Sequence, residues 1–148
     1  YPVLGTTGSP QFDLNTVAVS SGGPATLDIG LSASGYTFAP GGAIFEIGGT
    51  TAGKVSAEAF SGSDYFDTAN PLGSEMMFVS PGVVSGSVNG TVPASPNPYS
   101  LSIYTEIDHK GAGITSFDAN LTVPEPTTLL FLGFGIVGLV GLRRKFQE

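Results

Sequence analysis

The feature that most restricts how this chain can fold is a repeated alternation of apolar and polar side chains. Successive side chains of a strand point to opposite faces of a sheet, so a period of two is typical of strands with one buried face. Residues 1–123 show no sustained helical period, which argues against helices there. The alternation runs over 12–16, 27–33, 55–59 and 101–104, and further candidate strands cover 43–48, 75–80, 83–92 and 113–123.

Clusters of Gly, Pro, Ser and Asn separate these segments and supply the backbone conformations that turns require. They cover 21–24, 39–42, 70–73, 80–82 and 94–98. Roughly eight or nine short strands in this arrangement predict an all-β fold, an antiparallel β-sandwich or jelly roll. A Gly- and Ser-rich composition is also compatible with disorder. The 10 Phe and 5 Tyr argue against disorder because they supply apolar surface for a core.

The charge of the predicted β-domain, residues 1–123, limits its partners. This segment holds two lysines, no arginine and ten carboxylates, a net charge of −8. Nucleic-acid binding requires clustered basic side chains, so no nucleic-acid partner is predicted. The chain has no cysteine, which excludes disulfide frameworks, zinc knuckles and thiol nucleophiles.

The C-terminal segment 127–142 has no charged residue, is mostly apolar and is followed by Arg143, Arg144 and Lys145. As a helix it would be about 24 Å long, against roughly 30 Å for a hydrocarbon core. Snorkelling of the basic residues or local thinning of the bilayer can make up the difference. We therefore predict a single transmembrane helix, with 143–148 as a basic cytoplasmic tail and the β-domain outside the cell membrane. A buried core helix is the alternative.

Gly135, Gly138 and Gly141 recur every three residues and so lie on one side of the predicted helix. Small residues allow helices to approach closely in lipid, so this stripe predicts packing against another membrane helix or a copy of itself. The alternative is that glycine is simply frequent in such segments.

The tail resembles the tripartite PEP-CTERM sorting signal. Pro124, Glu125 and Pro126 stand where the recognition motif is expected, 127–142 is the membrane segment, and Arg143 to Lys145 form the membrane stop. The resemblance implies export in a Gram-negative bacterium and recognition by exosortase, a membrane cysteine transpeptidase. It also implies an association with exopolysaccharide, biofilm or floc formation. The resemblance covers only the tail and leaves the family of the β-domain unassigned.

The start of the chain, Tyr1-Pro2-Val3-Leu4, has neither an initiator Met nor a charged and apolar leader. This start is what removal of a secretory signal peptide leaves, so we expect a mature exported protein. A chain cut at a chosen boundary would begin in a similar way.

Two segments are candidate chemical sites. His109 follows Asp108, but neighbours on a strand point to opposite faces, so a polar strand end is the preferred interpretation over a catalytic or metal site. No nucleophile-elbow motif accompanies the histidine. Asp64 and Asp67 group carboxylate ligands in a loop and form a weak candidate calcium site, although their spacing is not that of an EF-hand.

The sequence therefore predicts no catalytic residues, no cofactor and no enzyme activity. The primary interpretation is an exported, membrane-anchored structural or interaction protein, a subunit of an assembly that keeps its C-terminal helix. The alternative is an exosortase-processed matrix or biofilm surface protein that acts in adhesion or in binding of carbohydrate, for example exopolysaccharide.

Overall fold

A computed structural model of the chain describes residues 10–37, 41–94 and 96–124. These residues form nine strands and no helix, and none of them belongs to a helix that could cross a membrane. The strands are β1 (Gln11–Ser21), β2 (Ala25–Tyr36), β3 (Gly42–Thr51), β4 (Lys54–Gly62), β5 (Asn70–Pro71), β6 (Met76–Phe78), β7 (Gly82–Thr91), β8 (Tyr99–His109) and β9 (Gly113–Thr122). The predicted transmembrane helix 127–142 lies outside the described residues.

The strands form two antiparallel sheets. Sheet 1 has the order β1-β9-β3-β7, and sheet 2 has the order β2-β8-β4-β5 with β6 also paired to β4. Several neighbouring strands are distant in sequence, since β1 pairs with β9 and β2 pairs with β8, whereas β5 and β6 pair with the nearby β4. The prediction of an all-β antiparallel sandwich is confirmed for the described part of the chain.

The core consists of the side chains that alternate toward the space between the sheets. On β8 the residues Leu101, Ile103 and Ile107 are fully buried, while the intervening Tyr104 and Glu106 are partly exposed. Exposure thus alternates along β8 from Ile103 onward, whereas Ser100 and Ser102, which the sequence places on the polar face, are also buried. Phe12, Phe45 and Phe117 fill the core from sheet 1, and Tyr36 and Tyr99 fill it from sheet 2.

One predicted turn is wrong in part. The cluster 70–73 contains the two-residue strand β5, in which Asn70 pairs with Ser61 and Pro71 with Phe60. Leu72 is buried, and its N–H donates to the Ala59 carbonyl at 2.7 Å. A proline is tolerated there because β5 lies at the edge of its sheet.

The sandwich ends where the sorting-signal resemblance begins. Val123 is buried, and its N–H donates to the Pro10 carbonyl at 3.0 Å, whereas Pro124 is exposed. Glu125 and Pro126, the glycine stripe and the basic cluster Arg143 to Lys145 lie outside the described residues.

Candidate binding face

The outer face of sheet 2 carries the strongest candidate site, because its β4, β8 and β2 residues form continuous rows. One row contains Glu58, Tyr104 and Gly30, which are direct partners across the three strands. The row on one side of it contains Phe60, Ser102 and Ser32, and the row on the other side contains Ser56, Glu106 and Asp28. Aromatic side chains therefore lie beside acidic ones on one surface.

We define the aromatic platform as Tyr65, Phe66 and Tyr104. Tyr65 is 42% exposed and Phe66 is 49% exposed, which is unusual for large apolar side chains that are adjacent in sequence. The ring centroids of Phe66 and Tyr104 are 5.8 Å apart. Phe60 packs edge-on against the other side of Tyr104, also with a centroid distance of 5.8 Å. Tyr104 is thus fixed between two rings.

The loop that presents Phe66 is held to sheet 2 by its main chain. The Phe66 N–H donates to Ser32 Oγ at 3.0 Å, and the Tyr104 hydroxyl donates to the Phe66 carbonyl at 3.0 Å. Phe66 has a φ of 57°, a left-handed conformation that a bulky residue rarely adopts. Such a conformation costs on the order of 1–3 kcal/mol and persists where surrounding contacts impose it, often at binding sites.

Gly30 makes room for the platform. A Cβ atom at this position would stand 2.9 Å from Cε1 of Phe66 and 3.6 Å from Cε1 of Tyr104. The Phe66 ring therefore lies over the backbone of β2, in space that any other residue would occupy. Leu31, Ser32 and Tyr65 complete a shallow groove around this ring.

Asp67 fixes the loop from within. Its Oδ2 accepts hydrogen bonds from the N–H and the hydroxyl of Ser63, and its Oδ1 accepts one from the N–H of Ala69 at 2.9 Å. The Ser63 N–H, the Ser63 hydroxyl and the Ala69 N–H together hold the pKa of Asp67 below its ordinary value. Asp64 acts similarly on a smaller scale, because its Oδ1 accepts the Tyr65 N–H at 2.7 Å.

The weak calcium candidate gains no support from this geometry. Both oxygens of Asp67 already accept hydrogen bonds from the loop itself. In the described part of the chain no three His, Asp or Glu side chains come together as a metal site would require. Asp64 and Asp67 are instead the residues that position the aromatic pair between them.

An acidic groove of about 250 Å³ adjoins the platform on the same face. Its carboxylates belong to Asp28, Glu58, Glu75 and Glu106. Burial raises the pKa of Glu58, and the negative charge of Glu75 raises it further. Lys54 lies in the same groove, with its Nζ atom 3.2 Å from Oε1 of Glu106. The groove is thus rich in hydrogen-bond acceptors and has a net negative charge.

His109 is the last residue of β8, as predicted, but it is buried at 1% exposure. Its Nδ1 lies 2.7 Å from Ser21 Oγ, and its Nε2 lies 2.7 Å from Thr115 Oγ1. Thr115 Oγ1 is in turn 2.9 Å from Thr51 Oγ1. The prediction that Asp108 points the other way is confirmed, since Asp108 pairs with Lys110 on the outside. Both ring nitrogens of His109 are therefore in contact with hydroxyl groups of neighbouring strands.

The described residues place the chain in a structural class, the two-sheet antiparallel β-sandwich proteins. The sandwich overlaps a promiscuous carbohydrate-binding module of the β-sandwich superfamily at 11% identity, covering 76% of this chain and 55% of that one, with a TM-score of 0.41. It overlaps the module TmCBM61 in complex with β-1,4-galactotriose at 12% identity, covering 80% and 83%, with a TM-score of 0.41. An infectious bursal disease virus structure gives 9% identity, 78% and 32% coverage, and a TM-score of 0.44.

TM-scores of this size assign neither a family nor a ligand to the sandwich. The chain spans only about half of the first carbohydrate-binding module and about a third of the virus structure. No curated protein matches the chain. The tail is assigned, however: residues 122–145 match the PEP-CTERM protein-sorting motif, as the resemblance predicts. This motif implies an exported protein that is processed by exosortase and associates with the membrane of the cell envelope.

Proposed function

We propose that this chain is a non-catalytic binding protein of the cell envelope, and that its sandwich binds neutral polysaccharide on the outer face of sheet 2. One observation carries the proposal. The exposed pair Tyr65 and Phe66 is fixed in a strained loop over Gly30, directly beside an acidic groove.

The chemistry of the two surfaces matches that of a sugar polymer. A pyranose ring has apolar C–H faces, which pack on exposed aromatic rings, and hydroxyl groups around its rim, which donate to carboxylates. The aromatic platform supplies the rings, and Asp28, Glu58 and Glu106 supply the acceptors. Since the predicted β-domain has a net charge of −8, a neutral polymer suits this face better than a polyuronate.

The non-catalytic part of the proposal rests on how the titratable groups are used. Both ring nitrogens of His109 contact hydroxyl groups, and Asp67 holds its own loop. Among the described residues these groups serve the fold. Incubation of the chain with the bound polymer should produce no new reducing ends, and their appearance would contradict this part.

Variants of the platform test the binding site. We expect Phe66→Ala to weaken binding of a soluble neutral β-glucan by about tenfold or more, because exposed aromatic anchors dominate such interfaces. The measurement is retardation of the 148-residue chain, held in detergent, in gels that contain the glucan. Ile114→Ala is the matched control, since Ile114 is 67% exposed on sheet 1.

A second variant leaves the aromatic residues in place. Gly30→Ala should weaken glucan binding because its Cβ displaces the Phe66 ring. Gels that contain a polyuronate should retard neither the parent chain nor any variant. Equal retardation of Phe66→Ala and the parent chain in glucan gels would contradict the proposed site.

The finer interpretation of the tail is a separate proposal. We infer that 127–142 is a single membrane span with 143–148 in the cytoplasm, and that a chain that keeps this span works as a membrane-held subunit. Support comes from the order of motif, apolar segment and basic cluster. Packing of the Gly135, Gly138 and Gly141 stripe on another helix also belongs to this proposal.

Intact mass of the native protein distinguishes retention from processing. A mass in the membrane fraction that includes residues 127–148 means that the span is kept. A mass that is smaller by the segment after Pro126, with or without an added group, means that exosortase has released the sandwich. The second outcome would contradict the retained subunit and leave the polysaccharide-binding proposal standing.

A further inference from the structure

We infer that a second copy of this chain pairs with the open edge of β7. In the described part of the chain β7 is the last strand of sheet 1, and its partner within that sheet is β3. The β3–β7 register is regular over ten residues, from Thr51 opposite Gly82 to Gly42 opposite Thr91. An outermost strand of this kind presents backbone N–H and C=O groups that another strand can bind.

The other long edges of the sandwich are built differently. β1, at the opposite edge of sheet 1, has a register shift between Leu14 and Val17 and carries Asp13. β2, at the edge of sheet 2, has a shift between Ser34 and Tyr36 and carries Asp28. Bulges and charges are the usual means by which proteins prevent association through an edge. β7 has neither, and no charged residue occurs between Met76 and Thr105.

Exposed apolar side chains occur on β7 and in the segment that leads into it. Met77 is 50% exposed, Val79 is 70% exposed and Val83 is 79% exposed, all within one short stretch of chain. At the other end of β7, Leu72 and Gly73 lie against Gly90. Among the described residues the uncovered part of this edge is therefore Gly82–Ser87, and we call it the β7 edge surface.

A second copy is the partner that fits this surface. Two copies of the predicted β-domain, each with a net charge of −8, repel each other in most orientations. The β7 edge surface lies in the longest stretch of the sequence without a charged residue. An antiparallel pair of identical strands is self-complementary about a two-fold axis, which is the commonest symmetry of dimers. Val83 and its neighbours would then cover each other across the axis.

This association goes beyond the proposed binding of polysaccharide and is independent of it. The aromatic platform lies on the outer face of sheet 2, whereas the β7 edge surface belongs to sheet 1. A paired chain would present two platforms, which raises the avidity for a polymer without any new contact. Failure of one proposal leaves the other intact.

Single cysteines test the pairing cleanly, because the chain contains none of its own. The test uses the 148-residue chain in detergent with one of three substitutions, Val83→Cys, Ser85→Cys or Ser87→Cys. Each variant is oxidised alone and in mixtures of two variants. Opposed Cα atoms of antiparallel strands are about 4.5–5.5 Å apart, within the range that a disulfide spans. At least one combination should give about tenfold more covalent dimer than Ala18→Cys or Ser20→Cys on β1.

A charged residue on the β7 edge surface provides a second test of the pairing. Adding Val83→Lys to the cysteine variant that cross-links best should abolish its dimer, because a lysine on an edge opposes pairing. Equal cross-linking of β1 and β7 variants would show that contact is driven elsewhere, for example by the tail, and would overturn the inference. Absence of dimer from every β7 combination would also overturn it.

Discussion

Gly49→Ala is expected to lower the free energy of unfolding by on the order of 4 kcal/mol, the largest effect of any single change considered for this chain. Gly49 lies in the middle of sheet 1, opposite Val84 on β7 and Phe117 on β9. Its φ is 151°, which side chains rarely adopt. A Cβ there would overlap the Ser116 carbonyl oxygen and come within 2.7 Å of Phe117 Cα. These are backbone atoms of a paired strand, so they cannot move aside.

The neighbouring glycine is the matched control. A Cβ on Gly48 would meet no heavy atom within 4 Å. Gly48→Ala should therefore change stability by less than about 1 kcal/mol, with a slight gain because alanine restricts the unfolded chain. Urea unfolding followed by circular dichroism measures both variants. Similar unfolding midpoints for Gly48→Ala and Gly49→Ala would contradict the register of β3 between β7 and β9.

Thr115→Val should cost roughly 3 kcal/mol, although it barely changes the volume of the side chain. The Thr115 hydroxyl contacts Nε2 of His109 and Oγ1 of Thr51, and it accepts the N–H of Ala52 at 3.3 Å. His109 and Thr115 are buried at 1% and 0% exposure, so water cannot replace the lost hydrogen bonds. Each buried polar group left without a partner carries a desolvation penalty.

Thr50→Val controls for the chemistry of this substitution. Thr50 precedes Thr51 on β3 but is exposed on the outer face, where a valine should be tolerated within about 0.5 kcal/mol. The same urea titration compares the two variants. A Thr115→Val chain as stable as the Thr50→Val chain would mean that the contacts between His109 and Thr115 contribute nothing to the fold.

The alternation of side chains predicted the β-architecture because it is a local property of each strand. All the long strands, for example β2 and β8, were recognised from their own residues. β5 could not be recognised, because Asn70–Pro71 is a strand only through its pairing with β4. Strand order was likewise out of reach, since the pairing of β1 with β9 joins the two ends of the sandwich.

The candidate site was harder to predict because its parts come from three separate segments. The sequence draws attention to Asp64 and Asp67 as metal ligands, whereas the structure uses both to shape the loop. The sequence signal that indicates this site is the adjacent pair Tyr65 and Phe66 in a polar loop. Outside a strand, no alternation of side chains buries either ring. Only the structure shows that Gly30 provides the space for Phe66.

The same limit applies to His109. The sequence predicts a polar strand end at His109, and the structure adds that Ser21 and Thr115 enclose the imidazole from β1 and β9. These strands approach β8 only when the two sheets pack together. The burial of a lone histidine is thus a consequence of the tertiary fold and leaves no trace in the local sequence.

Titration of the isotope-labelled 148-residue chain with a soluble neutral β-glucan, followed by backbone amide NMR, tests the central claim most directly. The account predicts that the largest shifts occur at Tyr65, Phe66, Tyr104 and Gly30, with little change on β9 and β3. Shifts confined to sheet 1, or no shifts in the presence of glucan sufficient to retard the chain in gels, would contradict the assignment of the binding face.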